Sequence, residues 1–264
     1  MNFDFPKVDL HFHLDGSIPP KLSWNLAKKK GLDEEKIVKA VLKGMERGMK
    51  NNPSIKVSLI LCAMVLGKAS LNHEDNMKTI RVAKKFLGKG VVAVDLAGAE
   101  GVTPMENFRD LFEEANKLNI PFTIHAGESM GPENIKTAIS FGAKRIGHGV
   151  TSIKSEEVKK EIKDKNITLE MCVTSNVKCN VVPSFKEHPI KKLYDYGIKV
   201  TVNTDDMAIL NTNIDKEYEI LIKELGFTYN DLIKMNMNSI EASFMKEEEK
   251  KFYLEKLKKY IKNE

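Results

Sequence analysis

Cysteine is scarce in this chain, with Cys62, Cys172 and Cys179 the three examples in 264 residues. An odd number without framework spacing argues against a disulfide-held secreted domain and points to a reducing compartment, expected to be the cytoplasm. Long apolar runs are also missing. No stretch approaches the roughly 18 consecutive apolar residues of a membrane span. The opening MNFDFPKVDL has neither the basic region nor the apolar core of a secretory signal. No linker rich in proline and glycine breaks the chain, so a single domain over residues 1–264 is expected. A basic stripe is absent too: the net charge of +5 comes from lysines scattered among Asp and Glu. That pattern fits solvated helix faces and no nucleic-acid partner.

What is present is an ordinary globular composition, 42% apolar and 30% charged, with enough material for a core. Short β-branched runs alternate with longer segments of helical period, the signature of βα units on a parallel sheet. Seven runs read as strands: Val8–His13, Val57–Cys62, Val91–Leu96, Phe122–His125, Arg145–His148, Thr168–Val173 and Lys199–Thr204. Between them the spacing predicts helices over Leu22–Lys30, Glu34–Lys50, Asn72–Phe86, Met105–Leu118, Glu133–Phe141, Ser155–Lys165 and His188–Tyr196. Two more follow at Asn230–Met245 and Glu247–Lys262, with apolar stripes that suit packing on a barrel. A length of 264 residues accommodates one α/β barrel of about 250 residues.

Such barrels gather their chemistry where the strands end. Four of the six histidines fall there: His11, His13, His125 and His148. In His11-Phe12-His13 the period of two puts both imidazoles on one side of a strand, where they can grip a metal or form a buried hydrogen-bonded pair. A third imidazole at His125 and the carboxylate of Asp205 would complete a nitrogen-and-oxygen shell suited to Zn²⁺, with a position open for water. Glu128, three residues past His125, fits a general acid, or a helix N-terminal carboxylate. His148 lies between Gly147 and Gly149, where a packing residue would be branched and apolar. Adjacent Asp205 and Asp206 would be costly in a barrel mouth without a cation; one can bind metal while the other contacts water or substrate.

In chain order, VDLHFHLDGS, VVAVDLAGAE, FTIHAGE, RIGHGV, MCVTSN and TVNTDD resemble the motif series of the adenosine deaminase family in the amidohydrolase superfamily. The likeness covers Lys7–Gly16 and then about Val38–Phe244. It implies an α/β fold, a TIM-type (β/α) barrel of the metal-dependent hydrolase kind, and one Zn²⁺ per chain held by His11, His13, His125 and Asp205. It further implies that Asp206 and His148 orient and deprotonate the attacking water and that Glu128 protonates the purine N1. On the substrate side it implies the Gly98 N–H at the purine N3, Asp15 at a ribose hydroxyl, and His13. The implied partner is a purine nucleoside, deaminated hydrolytically to inosine or deoxyinosine and ammonia. The other zinc deaminase solution, H-x-E followed by P-C-x-x-C, is absent.

The chain departs from the family pattern after GLDEE, where it passes directly into EKIVKAVLKGM. The second barrel strand and part of the nucleoside pocket are therefore expected to be missing. CAMVLG replaces an Arg-His pair, and Met207 stands where the family has Pro. Seven strands would leave edges to close more tightly, to be covered by helices, or to pair with a second chain. Two other functions stand beside this one: deamination of adenine or a modified adenine nucleoside, and zinc binding without turnover, which the missing pocket segment favours.

Overall fold

Two compact units make up the chain: Met1–Ser23 with His125–Glu264, and Trp24–Ile124. The structure, a computed structural model, describes residues 3–17, 33–68 and 71–261. After the extended residues 3–13 come α1 (Leu14–Ser17), α2 (Glu34–Asn51), β1 (Leu59–Val65), α3 (His73–Phe86), β2 (Val91–Gly98) and α4 (Arg109–Lys117). Then follow β3 (Thr123–Ala126), α5 (Pro132–Phe141), β4 (Arg145–His148), α6 (Glu156–Asp164), β5 (Thr168–Met171) and α7 (Val173–Lys178). The order closes with α8 (Ile190–Asp195), β6 (Lys199–Val202), α9 (Ile214–Leu225), α10 (Tyr229–Ala242) and α11 (Glu247–Lys258). Among the described residues, one sheet has the order β1-β2 and another β3-β4-β5-β6.

In the Trp24–Ile124 unit, β1 and β2 pair in parallel from Leu59↔Val91 to Val65↔Gly98. β2 reads VVAVDLAG and buries Val91, Ala93, Val94, Leu96 and Ala97, the near-continuous apolar run of a parallel strand covered on both faces. Gly98 ends it with φ 114°, and a Cβ there would meet the Val65 carbonyl oxygen at 2.7 Å. Glycine is thus required by the sheet itself.

The larger unit places the candidate site. Its register aligns Ile146, Leu169 and Val200 in one row and Gly147, Glu170 and Thr201 in the next, so the two rows face opposite sides of the sheet. The first row is fully buried apolar core, each side chain contributing about 1.5–3 kcal/mol. The second row is polar and looks toward the histidines. Helices are started by side-chain caps: Ser155 accepts from the Val158 N–H for α6, Asn213 from Lys216 for α9, and Thr228 with Asp231 forms a capping box for α10.

Val8–His13, expected to be a strand, makes a single bridge, Phe12 with Asp205. Side-chain amides take over the ladder's role: Asn236 accepts from the Val8 N–H at 2.7 Å and Asn203 from the Leu10 N–H at 3.0 Å. The strands end sooner than the apolar runs do, at Met171 and Val202, and Met105–Phe108 is a 3₁₀ turn ahead of α4. Leu22–Lys30 lies outside the described residues. No helix among the described residues is long and apolar enough to cross a membrane.

Candidate metal centre

Three histidines and an aspartate converge within the larger unit. His13 Nε2 lies 3.2 Å from His11 Nε2, 3.3 Å from His125 Nε2 and 3.2 Å from Asp205 Oδ1, and His11 Nε2 lies 3.6 Å from Asp205 Oδ1. Four donors around one ion at 2.0–2.1 Å stand about 3.3–3.4 Å apart when tetrahedral. The three separations from His13 Nε2 and that of His11 from Asp205 are close to this value, as donors to a single small divalent cation would be. The local causes are visible. His11 and His13 are fastened to the late aspartate by paired backbone bonds, His13 N–H to Asp205 O at 2.9 Å and Asp205 N–H to His11 O at 3.0 Å. Gly147, in the polar row, leaves the room: a Cβ there would meet His11 Cε1 at 3.1 Å and His125 Cα at 3.2 Å.

A buried relay orients His11. Its Nδ1 donates to Glu170 Oε2 at 2.9 Å, which leaves Nε2 as a lone pair directed at the centre. Arg145 Nε donates to the other Glu170 oxygen, and its guanidinium stacks over the Phe244 ring at 4.3 Å. Burial alone would raise the Glu170 pKa, but Arg145 and His11 hold the carboxyl well below the usual range. Burial likewise disfavours a charged His11, yet Asp205 and Glu170 outweigh it and raise the imidazole pKa well above its ordinary value. The same two carboxylates would favour a metal cation beside the ring. Cys172 also brings its sulfur within 4.8 Å of His11 and His148; its thiol donates to the Glu170 carbonyl at 3.6 Å, and burial raises its pKa.

Around this centre stand Glu128, His148 and Asp206. Each of Glu128, His148 and Asp205 offers an atom within 4.8 Å of the others. His148 packs edge-on against His11, ring centroids 5.0 Å apart, and against His125 at 5.2 Å. Its Nδ1 lies 3.6 Å from Glu128 Oε1. Glu128 is aimed by the turn after β3, where Gly127 has φ 67° and its carbonyl accepts from the Thr151 N–H and hydroxyl. Asp206 rests directly on Gly16, where a Cβ would overlap its carboxylate. Burial, then the charge of Asp205, pushes the Asp206 carboxyl above its ordinary pKa, and Asp15 adds to the effect. The adjacent aspartates lie past the end of β6, Asp205 bridging Phe12 and Asp206 leading into the turn that begins at Met207. His11, His148 and Asp205 are buried, whereas His13, His125, Glu128 and Asp206 are half-buried, so the centre has an open side.

The backbone marks two of these residues. Among the described non-glycine residues with positive φ, four are asparagines (119, 166, 180 and 211); the others are His148 at 61° and Asp205 at 59°. Left-handed histidine and aspartate persist where surrounding structure over-determines them.

Asp15 sits in α1 and is exposed, and Gly98 belongs to the other unit. Sequence reasoning missed Arg145, Glu170, Asn176 and His188. A charged residue inside the apolar run ITLEMCV was the available signal for Glu170, and MCVTSN had been noticed without a role for its asparagine.

The scaffold and the centre together define a metal-dependent hydrolase: parallel α/β units with a three-histidine, one-aspartate cluster in and beside the strand ends. The family is equally plain, since the adenosine deaminase model matches residues 29–260 and the chain belongs to that family. An adenosine deaminase of Haemophilus ducreyi is 40% identical over 232 residues, covering 87% of this chain and 67% of that protein. One of Clostridium kluyveri is 42% identical over 231 residues, covering 87% and 65%. The chain thus spans about two thirds of the length of these relatives. The fold is shared with an arabidopsis N6-mAMP deaminase, with a TM-score of 0.81 at 19% identity over 97% of this chain and 98% of that one. It is shared also with a Burkholderia ambifaria amidohydrolase solved with bound Zn, with a TM-score of 0.79 at 21% identity over 88% and 64%. His11, His13 and Asp15 precede the family match, and for the two histidines it is geometry that joins them to the rest.

Proposed function

We propose that this chain is a zinc-dependent aminohydrolase that converts adenosine or deoxyadenosine and water into inosine or deoxyinosine and ammonia. The observation that carries the proposal is the convergence of His11, His125 and Asp205 on His13, each with a donor atom within 3.3 Å of His13 Nε2, with Glu128 and Asp206 half-buried nearby. His11, His13, His125 and Asp205 would hold the ion, and imidazole with carboxylate suits Zn²⁺. When bound, the ion supplies a Lewis acid that makes water nucleophilic near neutral pH.

The chain's own residues then divide the proton transfers. Glu128, as a carboxylic acid, gives its proton to the purine N1 while a water oxygen bonds to C6. Asp206 and His148 orient that water, and one proton leaves it. The amino group takes up a proton and departs as ammonia, and the new C6 hydroxyl returns a proton to Glu128 as the carbonyl forms. Asp15 would meet a ribose hydroxyl, His13 would border the substrate, and the Gly98 N–H would meet N3.

The test is zinc content by elemental analysis followed by the absorbance change of adenosine, with Glu128→Ala as control. Expected are one zinc per chain in both proteins and turnover in the parent alone. Zinc without turnover of adenosine, deoxyadenosine or adenine would reduce the proposal to a metal-binding relative, and a folded chain that takes up no zinc would overturn it.

A further inference from the structure

His188 and Asn176 have no part in the chemistry above, yet both are almost fully buried, at 2% and 0% exposure, and they lead in file to His148. The first member sets the others. The Ile190 backbone N–H can only donate, and it points at His188 Nδ1 at 3.2 Å. That nitrogen must therefore be an acceptor, so the proton of neutral His188 is on Nε2. Burial keeps the ring neutral, with its pKa lowered to about 3. His188 Nε2 then donates to Asn176 Oδ1 at 3.2 Å, and this fixes which end of the amide faces the other way. The Asn176 NH₂ group, a donor only, stands 3.1 Å from His148 Nδ1 and 3.4 Å from Glu128 Oε1. Direction thus passes from a backbone amide, whose polarity is certain, through two side chains to the histidine beside the metal centre.

Resting on the deaminase reading, we propose that Asn176 and His188 are positioning residues that hold His148 as the Nε2–H tautomer, so that His148 donates to the reacting oxygen and the water's proton goes to Asp206. With Nδ1 occupied by an amide N–H and Nε2 already protonated, neutral His148 has no lone pair left for that proton. The water hydrogen passes to the Asp206 carboxylate, the remaining O–H bonds to C6, and Asp206 later returns the proton to the departing amine. The second amide hydrogen of Asn176 places the Glu128 carboxyl at the same time. One side chain therefore sets the spacing of the two proton-handling groups.

The experiment uses the zinc-loaded protein with ¹⁵N-labelled histidine, the His148 signals being assigned by their loss in His148→Asn. Expected is a pyridine-type resonance at Nδ1 and a proton-bearing, pyrrole-type resonance at Nε2. Asn176→Asp, which can accept but not donate, should move the proton to Nδ1. With zinc content unchanged, it should lower kcat about 10- to 100-fold, with KM within about twofold. His188→Gln, which disturbs the chain one step back, should produce a smaller change of the same kind. A parent protein with the proton on His148 Nδ1 would overturn the proposal, as would Asn176→Asp with the parent tautomer and full kcat. Absence of turnover in the parent overturns the deaminase reading alone, because the resonances still report whether the asparagine sets the tautomer. If Asn176→Asp does not fold, the parent spectrum and His188→Gln decide.

Discussion

Strands β2 and β5 show two ways of burying a strand. β2 buries a nearly unbroken apolar series, and its one acid, Asp95, accepts from the adjacent Leu96 N–H at 2.7 Å. β5 is buried along its whole length although it reads TLEM, because Glu170 is answered by Arg145 on one oxygen and His11 on the other. Burying a charge is expensive unless it is paired and hydrogen-bonded. The run Val91–Ala97 illustrates burial by apolar side chains, and β5 burial of a charge by pairing within the same architecture.

That contrast breaks first at Glu170. Glu170→Ala would leave the Arg145 guanidinium buried without its partner and free the His11 ring to turn, costing about 3–5 kcal/mol in denaturant unfolding. It would also weaken zinc about 10- to 100-fold in competition with a chelator. Leu96→Ala in β2 should cost about 2–4 kcal/mol by the same denaturation measurement and leave zinc stoichiometry untouched; loss of zinc there would erase the distinction. Gly147→Ala should cost about 1–3 kcal/mol and loosen zinc together, since the added methyl presses on His11 and His125. Acid sharpens the contrast further. From pH 6.5 down to about 3 the unfolded chain protonates His188 while the buried folded ring does not. Stability present above 6.5 should therefore be lost on acidification by up to about 1.4 kcal/mol per pH unit, and His188→Gln should flatten that limb. The smallest effect belongs to the capping box: Thr228→Ala should cost about 1 kcal/mol, read as a lower thermal midpoint, with zinc and turnover unchanged.

The histidine and carboxylate cluster was legible in sequence because few side chains can replace an imidazole or a carboxylate in such a pattern. His11-Phe12-His13, His125 through Glu128, Gly147 through Gly149 and the Asp205-Asp206 pair each announced themselves at the end of an apolar run, and the structure brings these residues together. The βα alternation was legible for a similar reason: period and run length are local properties. Glu170 and Arg145 were not, because their meaning depends on which strand lies beside which, and a single-residue change of register would separate them from His11. The file from Ile190 to His148 was hidden more deeply, since it depends on the direction of individual hydrogen bonds. Val8–His13 misled in the opposite sense: it has the composition of a strand, but Asn236 and Asn203, distant in sequence, supply the acceptors for Val8 and Leu10.

The left-handed backbone at Asp205 has a corollary. Four of the five other described non-glycine residues with positive φ are asparagines, so asparagine at 205 would suit the local conformation while removing the negative charge. The backbone tolerates that replacement, so it is the pairing with the His11 and His13 imidazoles that sets aspartate apart at this corner.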